Sequence, residues 1–188
     1  MSLKIKILIG ALVVSNLLAY FFLVSKWNND LVPITVHTDD TVYESAKKEI
    51  GLSYLKNRDS ILNAVKYPAL IYRYARDNCS SCIAEDFSEL NLFQDEVGEG
   101  YIVVLPSYEK NQQNSIMLAN QLTSFEYKNM SEKLLAFPRD ENGFTQRYFA
   151  LIDNKGNLGE IYFPERGNMK ATKAYFQKVK GYLNSITN

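Results

Sequence analysis

The longest hydrophobic pattern in this chain is an uncharged run near the N-terminus, ILIGALVVSNLLAYFFLV, from Ile7 to Val24. As a helix, these 18 residues would be about 27 Å long, close to the thickness of the hydrocarbon core of a bilayer. Lys4 and Lys6 precede the run, whereas Lys26 is soon followed by the acidic Asp30. Because cytoplasmic flanks are rich in lysine, the pattern predicts a transmembrane helix with the rest of the chain outside the cytoplasm, periplasmic or at the cell surface.

A cleaved signal peptide is the main alternative for this run. The run is long for a signal peptide, no clear small-x-small cleavage motif follows it, and no cysteine near its end would allow lipid attachment. We therefore interpret residues 1–27 as an uncleaved membrane anchor. Residues 28–40 follow as a tether, and residues 41–188 form one folded domain.

Helical spacing of apolar residues begins after the tether. Thr41 and Glu44 have the spacing of a capping box. The apolar positions that follow at near-helical intervals are Val42, Ala46, Ile50 and Tyr54. The pattern predicts a helix, broken near Gly51, and a further helical stretch over residues 60–65 that ends before Pro68.

A strand, a helix and a second strand are predicted next. PALIYRY, residues 68–74, is short and rich in strand-forming residues, and YIVVL, residues 101–105, is an apolar run typical of a buried parallel strand. Between them, apolar residues recur at i, i+4 and i+7 from Ile83. This spacing predicts an amphipathic helix with Asp77 or Asn78 as its N-cap, and hence a β-α-β unit.

The C-terminal part of the chain predicts a hairpin and a last helix. In YFALIDNKGNLGEIYF, two β-rich runs flank turn-forming residues around Gly156. IMLANQL is predicted to be helical. The apolar face of the last helix is predicted to contain Ala171, Tyr175, Val179 and Tyr182. The order of elements indicates the α/β class.

Charge and potential metal ligands narrow the possible partners. The 21 basic and 21 acidic residues cancel, so no basic field favours a nucleic acid. His37 is the only histidine and lies in the tether, and two cysteines alone do not make a closed zinc site. We therefore expect no metal and no other cofactor. The remaining candidate chemistry is the pair Cys79 and Cys82 in RDNCSSCIAEDF.

The stretch from about Ala69 to Leu183 resembles the thioredoxin fold in the motifs ALIYRYARDNCSSC and YFALIDNKGNLGEIYF. With the anchor, the whole chain resembles membrane-tethered extracytoplasmic thiol-disulfide oxidoreductases and related redoxins. The resemblance implies a thioredoxin-like three-layer α/β/α sandwich with a mixed central sheet, preceded by an N-terminal transmembrane helix. It also implies that the partners are protein thiols and disulfides, in a compartment where disulfides persist.

The position of the cysteines at a helix start assigns a role to each. In the first turn, free backbone NH groups and the helix dipole favour a thiolate, which makes Cys79 the candidate nucleophile. Cys82 is one turn further on and is the candidate resolving thiol. Asn78, Ser80 and Ser81 are expected to support the pair. Thioredoxins usually carry an aromatic residue and Gly-Pro at these positions, so the direction of electron flow stays open.

A second departure from the thioredoxin pattern lies just ahead of the strand YFALID. Thioredoxin-like proteins have a cis-proline there, whereas this chain has Gln146 and Arg147. Peroxiredoxins place an arginine near their reactive cysteine, and Arg147 would stabilise a Cys79 thiolate in the same way. The alternative is a solvated loop charge. Arg76 stands where peroxiredoxins have a threonine, which disfavours peroxidase activity.

Two functional hypotheses follow from these residues. The first is a membrane-anchored thiol-disulfide oxidoreductase that uses Cys79 and Cys82. The alternative is a non-catalytic thioredoxin-fold binding module in which the CxxC is structural or vestigial. Asp77 and Glu85 flank the pair as possible proton relays, although capping by Asp77 and simple exposure of Glu85 are the favoured roles.

Overall fold

The computed structural model of this protein describes residues 40–108 and 125–187. The helices are α1 (Asp40–Leu62), α2 (Ser80–Val97) and α3 (Met169–Thr187). The strands are β1 (Ala69–Ala75), β2 (Ile102–Ser107), β3 (Glu126–Tyr127), β4 (Tyr148–Ile152) and β5 (Leu158–Tyr162). The predicted α/β class is confirmed for these residues.

The five strands form one mixed sheet in the order β3-β2-β1-β4-β5. Strand β1 pairs in parallel with β2, which pairs in parallel with β3. On its other side β1 pairs antiparallel with β4, and β4 pairs antiparallel with β5. The predicted β-α-β unit is thus β1-α2-β2, and the predicted hairpin is β4-β5. In the hairpin turn, Gly156 has φ +70°, a left-handed conformation that glycine adopts without steric penalty.

All seven residues of the central strand β1 are buried, because both faces of the sheet are covered. Leu70, Tyr72 and Tyr74 belong to one core, with apolar residues of α2 and α3. Ala69, Ile71 and Ala75 belong to the other, with apolar residues of α1. Alternate side chains of a strand point to opposite faces. A strand that is covered on both faces is therefore hydrophobic along most of its length, as PALIYRY is.

Most residues on the predicted apolar faces of the helices are buried in the structure. Three of the four predicted apolar residues of α1 are buried: Ala46, Ile50 and Tyr54. The core side of α2 carries Ile83, Phe87, Leu90 and Phe93, and that of α3 carries Ala171, Tyr175, Phe176, Val179 and Leu183. Val42, by contrast, is exposed, and Tyr182 is only partly buried.

Helix α1 differs from its prediction in two respects. It begins at Asp40, so the last residue assigned to the tether is already helical. It also continues past Gly51 to Leu62, and its irregular residue is Asn57, with φ −118° and ψ 18°. The Asn57 amide donates to the carbonyls of Ser53 and Leu134, both at 3.0 Å. This side chain bonds to its own helix and to a distant loop, and the backbone is kinked where it does so.

Arg73 is an unusual residue of β1, because a charged side chain is completely buried there. Its guanidinium donates to the carbonyls of Leu105, Met130 and Leu135, each at 2.8 Å. It also lies over the ring of Phe137, with Cζ 4.1 Å from the ring centroid. Burial lowers the pKa of Arg73 to about 10. Arg73 thereby ties the chain that follows β3 to the centre of the sheet.

No helix within residues 40–108 or 125–187 combines the length and the apolarity needed to cross a bilayer. The predicted membrane span, residues 7–24, lies outside the described residues. So do the tether up to residue 39, including His37, and the predicted helix IMLANQL.

Candidate functional site at the start of helix α2

The turn between β1 and α2 positions both cysteines. The Asn78 amide oxygen accepts a hydrogen bond from the Ala75 backbone NH at 2.7 Å, which closes the turn. Helix α2 then starts at Ser80 with Cys79 as its N-cap, and the Cys79 Sγ accepts a hydrogen bond from the Cys82 backbone NH at 3.3 Å. The prediction that Asp77 or Asn78 caps this helix is therefore wrong.

The reason for this difference is a contact with a segment far away in sequence. The Asn78 amide donates to the Thr145 carbonyl at 2.8 Å, and the Thr145 hydroxyl donates to the Asp77 carboxylate. Because the Asn78 amide oxygen is bonded to the Ala75 NH and the Asp77 carboxylate to the Thr145 hydroxyl, the cysteine sulfur accepts from the helix start in their place. The role of helix cap that was expected for Asp77 is therefore filled by Cys79.

The two cysteines differ sharply in exposure. Cys79 is exposed, whereas Cys82 is only 4% exposed and belongs to the core side of α2. Their Cα atoms are 5.2 Å apart, within the usual range for a disulfide, and their sulfurs lie at disulfide-bonding distance. Cys79 is therefore open to an external molecule, whereas Cys82 is largely covered by the protein.

Two hydrogen-bond donors lie beside the Cys79 sulfur. Besides the Cys82 NH, the Ser81 hydroxyl lies 3.1 Å from the sulfur. The first turn of α2 contains no acidic residue that would oppose a negative charge. Ser80 is also exposed, but no hydrogen bond joins its hydroxyl to either sulfur within the part of the chain that the structure describes. The arrangement is suited to an anionic sulfur at Cys79.

Thr145 and Gln146 belong to the chain segment that lies against the cysteine turn. Thr145 is buried, and Gln146 is partly buried with its backbone NH bonded to the Pro138 carbonyl at 2.9 Å. Of these two, sequence reasoning selected Gln146 and missed Thr145. A threonine in a stretch without a hydrophobic period carries no local signal of this contact.

Arg147 lies immediately before β4 and forms a largely buried ion pair with Asp86 of α2. Nε of Arg147 is 2.6 Å from Oδ2 of Asp86, and the two side chains are 13% and 5% exposed. The Tyr72 hydroxyl donates to the same carboxylate oxygen at 2.6 Å. Arg147 is therefore not the solvated loop charge considered above. Its ion pair is one turn beyond Cys82 along α2, because Asp86 follows Cys82 by four residues.

Burial governs the ionisation of Asp86 and Tyr72. It raises the pKa of Asp86, while the positive charge of Arg147 acts in the opposite direction. Burial, together with the negative charge of Asp86, also raises the pKa of Tyr72 well above its usual value. Tyr72 thus keeps its proton and acts as a donor. Sequence reasoning missed Asp86, although an acidic residue directly before Phe87 on an apolar helix face is a detectable irregularity.

Glu85 is the other acidic residue that the sequence placed beside the cysteines. Its carboxylate accepts a hydrogen bond from the Gly167 backbone NH at 3.3 Å, and the side chain is partly buried. Glu85 therefore joins the start of α2 to the loop that precedes α3, and it is not simply exposed as expected.

No protein-family model matches this sequence, and no curated protein gives a significant match.

Proposed function

We propose that this protein is a membrane-anchored thiol-disulfide oxidoreductase of thioredoxin-like fold that exchanges disulfides with protein partners outside the cytoplasm. Cys79 is the attacking thiol and Cys82 is the resolving thiol. Residues 7–24 are the anchor. The proposal includes neither a metal nor another cofactor.

The observation that carries this proposal is the difference in exposure between the two paired cysteines. A disulfide-exchange enzyme needs one sulfur that a partner can reach and a second sulfur that only the first can reach. Cys79 is exposed at the helix start, and Cys82 is buried within bonding distance of it. A disulfide that served only to link two segments would not need this asymmetry.

The exchange follows from these positions when the pair starts reduced. The Cys79 thiolate attacks one sulfur of a partner disulfide, that disulfide breaks, and the displaced partner thiolate takes a proton from water. Cys82 then loses its proton and attacks the Cys79 sulfur, which closes the Cys79–Cys82 disulfide and releases the second partner thiolate. The partner gains two electrons and the protein loses two. In the opposite direction the same steps oxidise a partner dithiol.

The architecture supports the thioredoxin-like assignment. A parallel β1-α2-β2 unit and an antiparallel β4-β5 hairpin share one sheet, and the cysteines lie where β1 leads into α2. Core residues of α1 lie on one face of the sheet, and those of α2 and α3 on the other. This arrangement agrees with a three-layer α/β/α sandwich.

The first test is reduction of insulin disulfides by the full-length protein in mild detergent, with dithiothreitol as electron source. We expect catalysed precipitation of the insulin B chain, and we expect Cys79→Ser to abolish it. Ser88→Ala is the matched control, because Ser88 is an exposed serine of the same helix, two turns beyond the cysteines. Equal turnover by the parent protein and Cys79→Ser would contradict the proposal.

The binding-module alternative predicts a different result in a titration against glutathione. A structural disulfide resists reduction at potentials above about −300 mV. An exchange-active pair equilibrates with the glutathione pool, so we expect reduction by reduced glutathione at millimolar concentration. Failure to reduce the pair under these conditions in the folded protein would favour the alternative.

A further inference from the structure

The sulfur of Cys79 has two hydrogen-bond partners within the described residues, and only one of them is a side chain. The backbone NH of Cys82 is 3.3 Å away, and the hydroxyl of Ser81 is 3.1 Å away. Every cysteine at a helix N-cap can accept a backbone NH in this way. The hydroxyl, by contrast, is specific to this sequence.

We propose that the Ser81 hydroxyl is a positioning donor that stabilises the Cys79 thiolate of the reduced protein and thereby sets the redox equilibrium of the pair. The inference rests on the proposed function, since it concerns the same cysteines. It goes further by giving Ser81 a role that Ser80 does not have, a difference that the sequence alone does not predict.

The difference between the serines is geometric. Ser80 and Ser81 are both exposed and both lie in the first turn of α2. Successive residues of a helix point about 100° apart, so only one of the two can direct its side chain back to the N-cap residue. The hydrogen bond identifies that residue as Ser81.

The charge of the sulfur makes this contact matter for redox chemistry. In the disulfide, sulfur is a weak hydrogen-bond acceptor, whereas a thiolate is an anion and accepts much more strongly. The Ser81 hydroxyl therefore stabilises the reduced pair more than the oxidised pair. Reduction delivers two electrons from a dithiol or from two glutathione molecules, Cys82 takes up one proton, and Cys79 remains the thiolate that the hydroxyl binds.

The first measurement is the rate of iodoacetamide alkylation of Cys79 against pH, in the full-length Cys82→Ser protein after reduction. A hydrogen bond to a charged group corresponds to about tenfold or more in equilibrium, so we expect Ser81→Ala to move the midpoint about one pH unit upward. Ser80→Ala should move it by less than a third as much. Ser81→Thr keeps the hydroxyl and should restore the parent midpoint.

The second measurement is the equilibrium of the two-cysteine protein with oxidised and reduced glutathione. We expect Ser81→Ala to shift this equilibrium about tenfold toward the disulfide, which corresponds to a potential about 30 mV more negative. Circular dichroism of each variant checks that the fold is unchanged. A structural role alone would alter stability but would leave the pH midpoint and the potential in place.

The outcomes separate this inference from the proposed function. A parent midpoint well below about 8.5, together with equal midpoints for Ser81→Ala and Ser80→Ala, would overturn the role of Ser81 and leave the oxidoreductase proposal standing. A parent midpoint at or above about 8.5 would show that Cys79 is an ordinary thiol, and both proposals would fail.

Discussion

Arg147 and Asp86 form a largely buried ion pair that joins the start of β4 to helix α2, with Nε 2.6 Å from Oδ2. In the antiparallel register, Arg73 pairs with Tyr148 and Tyr72 pairs with Phe149. Arg147 directly precedes β4, two residues before Phe149, whose side chain lies on the face of the sheet that α2 covers. The pairing of β1 with β4 thus brings the chain segment that carries Arg147 beside helix α2, where Asp86 lies.

We expect Arg147→Met to lower the free energy of unfolding by about 3–5 kcal/mol at pH 7, because it leaves a buried carboxylate without its cation. Burial raises the pKa of Asp86, so this carboxylate binds its proton more tightly in the folded state than in the unfolded state. The variant should therefore regain stability as the pH falls from 7 toward 5. Urea denaturation at several pH values measures both effects.

The control for this prediction removes both charges at once. Replacing Asp86 by Leu and Arg147 by Met leaves no unpaired charge, so the double variant should recover part of the loss. It should not recover all of it, because the buried Tyr72 hydroxyl loses its acceptor. Arg166→Met, which changes an exposed arginine, should have little effect. A double variant as unstable as Arg147→Met would contradict the unpaired charge as the main cause of the loss.

We expect Arg73→Met to be strongly destabilising, by about 3 kcal/mol or more, because three buried carbonyls lose their donor at the same time. The measurement is the urea midpoint of the full-length protein. Arg76→Met is the matched control, since Arg76 is three residues further along the chain and exposed. Similar urea midpoints for the two variants would contradict the structural role given to Arg73.

Asn78 connects the cysteine turn to Thr145, so its removal should affect activity as well as stability. Asn78→Ala leaves the Ala75 NH and the Thr145 carbonyl without this partner, and we expect a loss of about 1–3 kcal/mol. We also expect slower insulin reduction, because Cys79 is no longer held as the N-cap. Asn78→Asp keeps the acceptor for the Ala75 NH but removes the amide donor to the Thr145 carbonyl. It therefore separates the effects of the two hydrogen bonds. Unchanged turnover in Asn78→Ala would show that the turn is held by other contacts.

Alkaline pH should destabilise the protein through tyrosines that are partly or fully buried. Burial raises the pKa of both Tyr43 and Tyr127 to about 12, against about 10 in an unfolded chain. Because these folded-state pKa values are raised, the associated stability is fully present below pH 10 and is lost as the pH rises toward 12. Arg73 acts in the opposite sense, since burial lowers its pKa to about 10.

This alkaline transition is measured by urea midpoints from pH 8 to 11.5, with absorbance at 295 nm as the signal of tyrosine ionisation. A protein with both cysteines replaced by serine is the control, because disulfides also react with base. Six further tyrosines, with pKa values likewise raised by burial, add to the effect: Tyr54, Tyr72, Tyr108, Tyr148, Tyr162 and Tyr175. A constant midpoint up to pH 11.5 would contradict the prediction.

The sequence by itself determined most of the secondary structure and the placement of the cysteine pair. The strand patterns of β1 and β2, the period of α2 and the turn at Gly156 are local, so each could be read from neighbouring residues. For the same reason the sequence located Cys79 and Cys82 at the start of a helix.

Only the tertiary structure decided which side chains surround that pair. Cys79 and not Asn78 or Asp77 caps α2, and the side chains of Asn78 and Asp77 bind Thr145, which lies 67 and 68 residues away in sequence. Arg147 reaches Asp86 only through the pairing of β1 with β4. Such contacts depend on strand register and burial, which no single segment encodes. Periodicity therefore predicted the elements, and their packing determined the chemistry of the site.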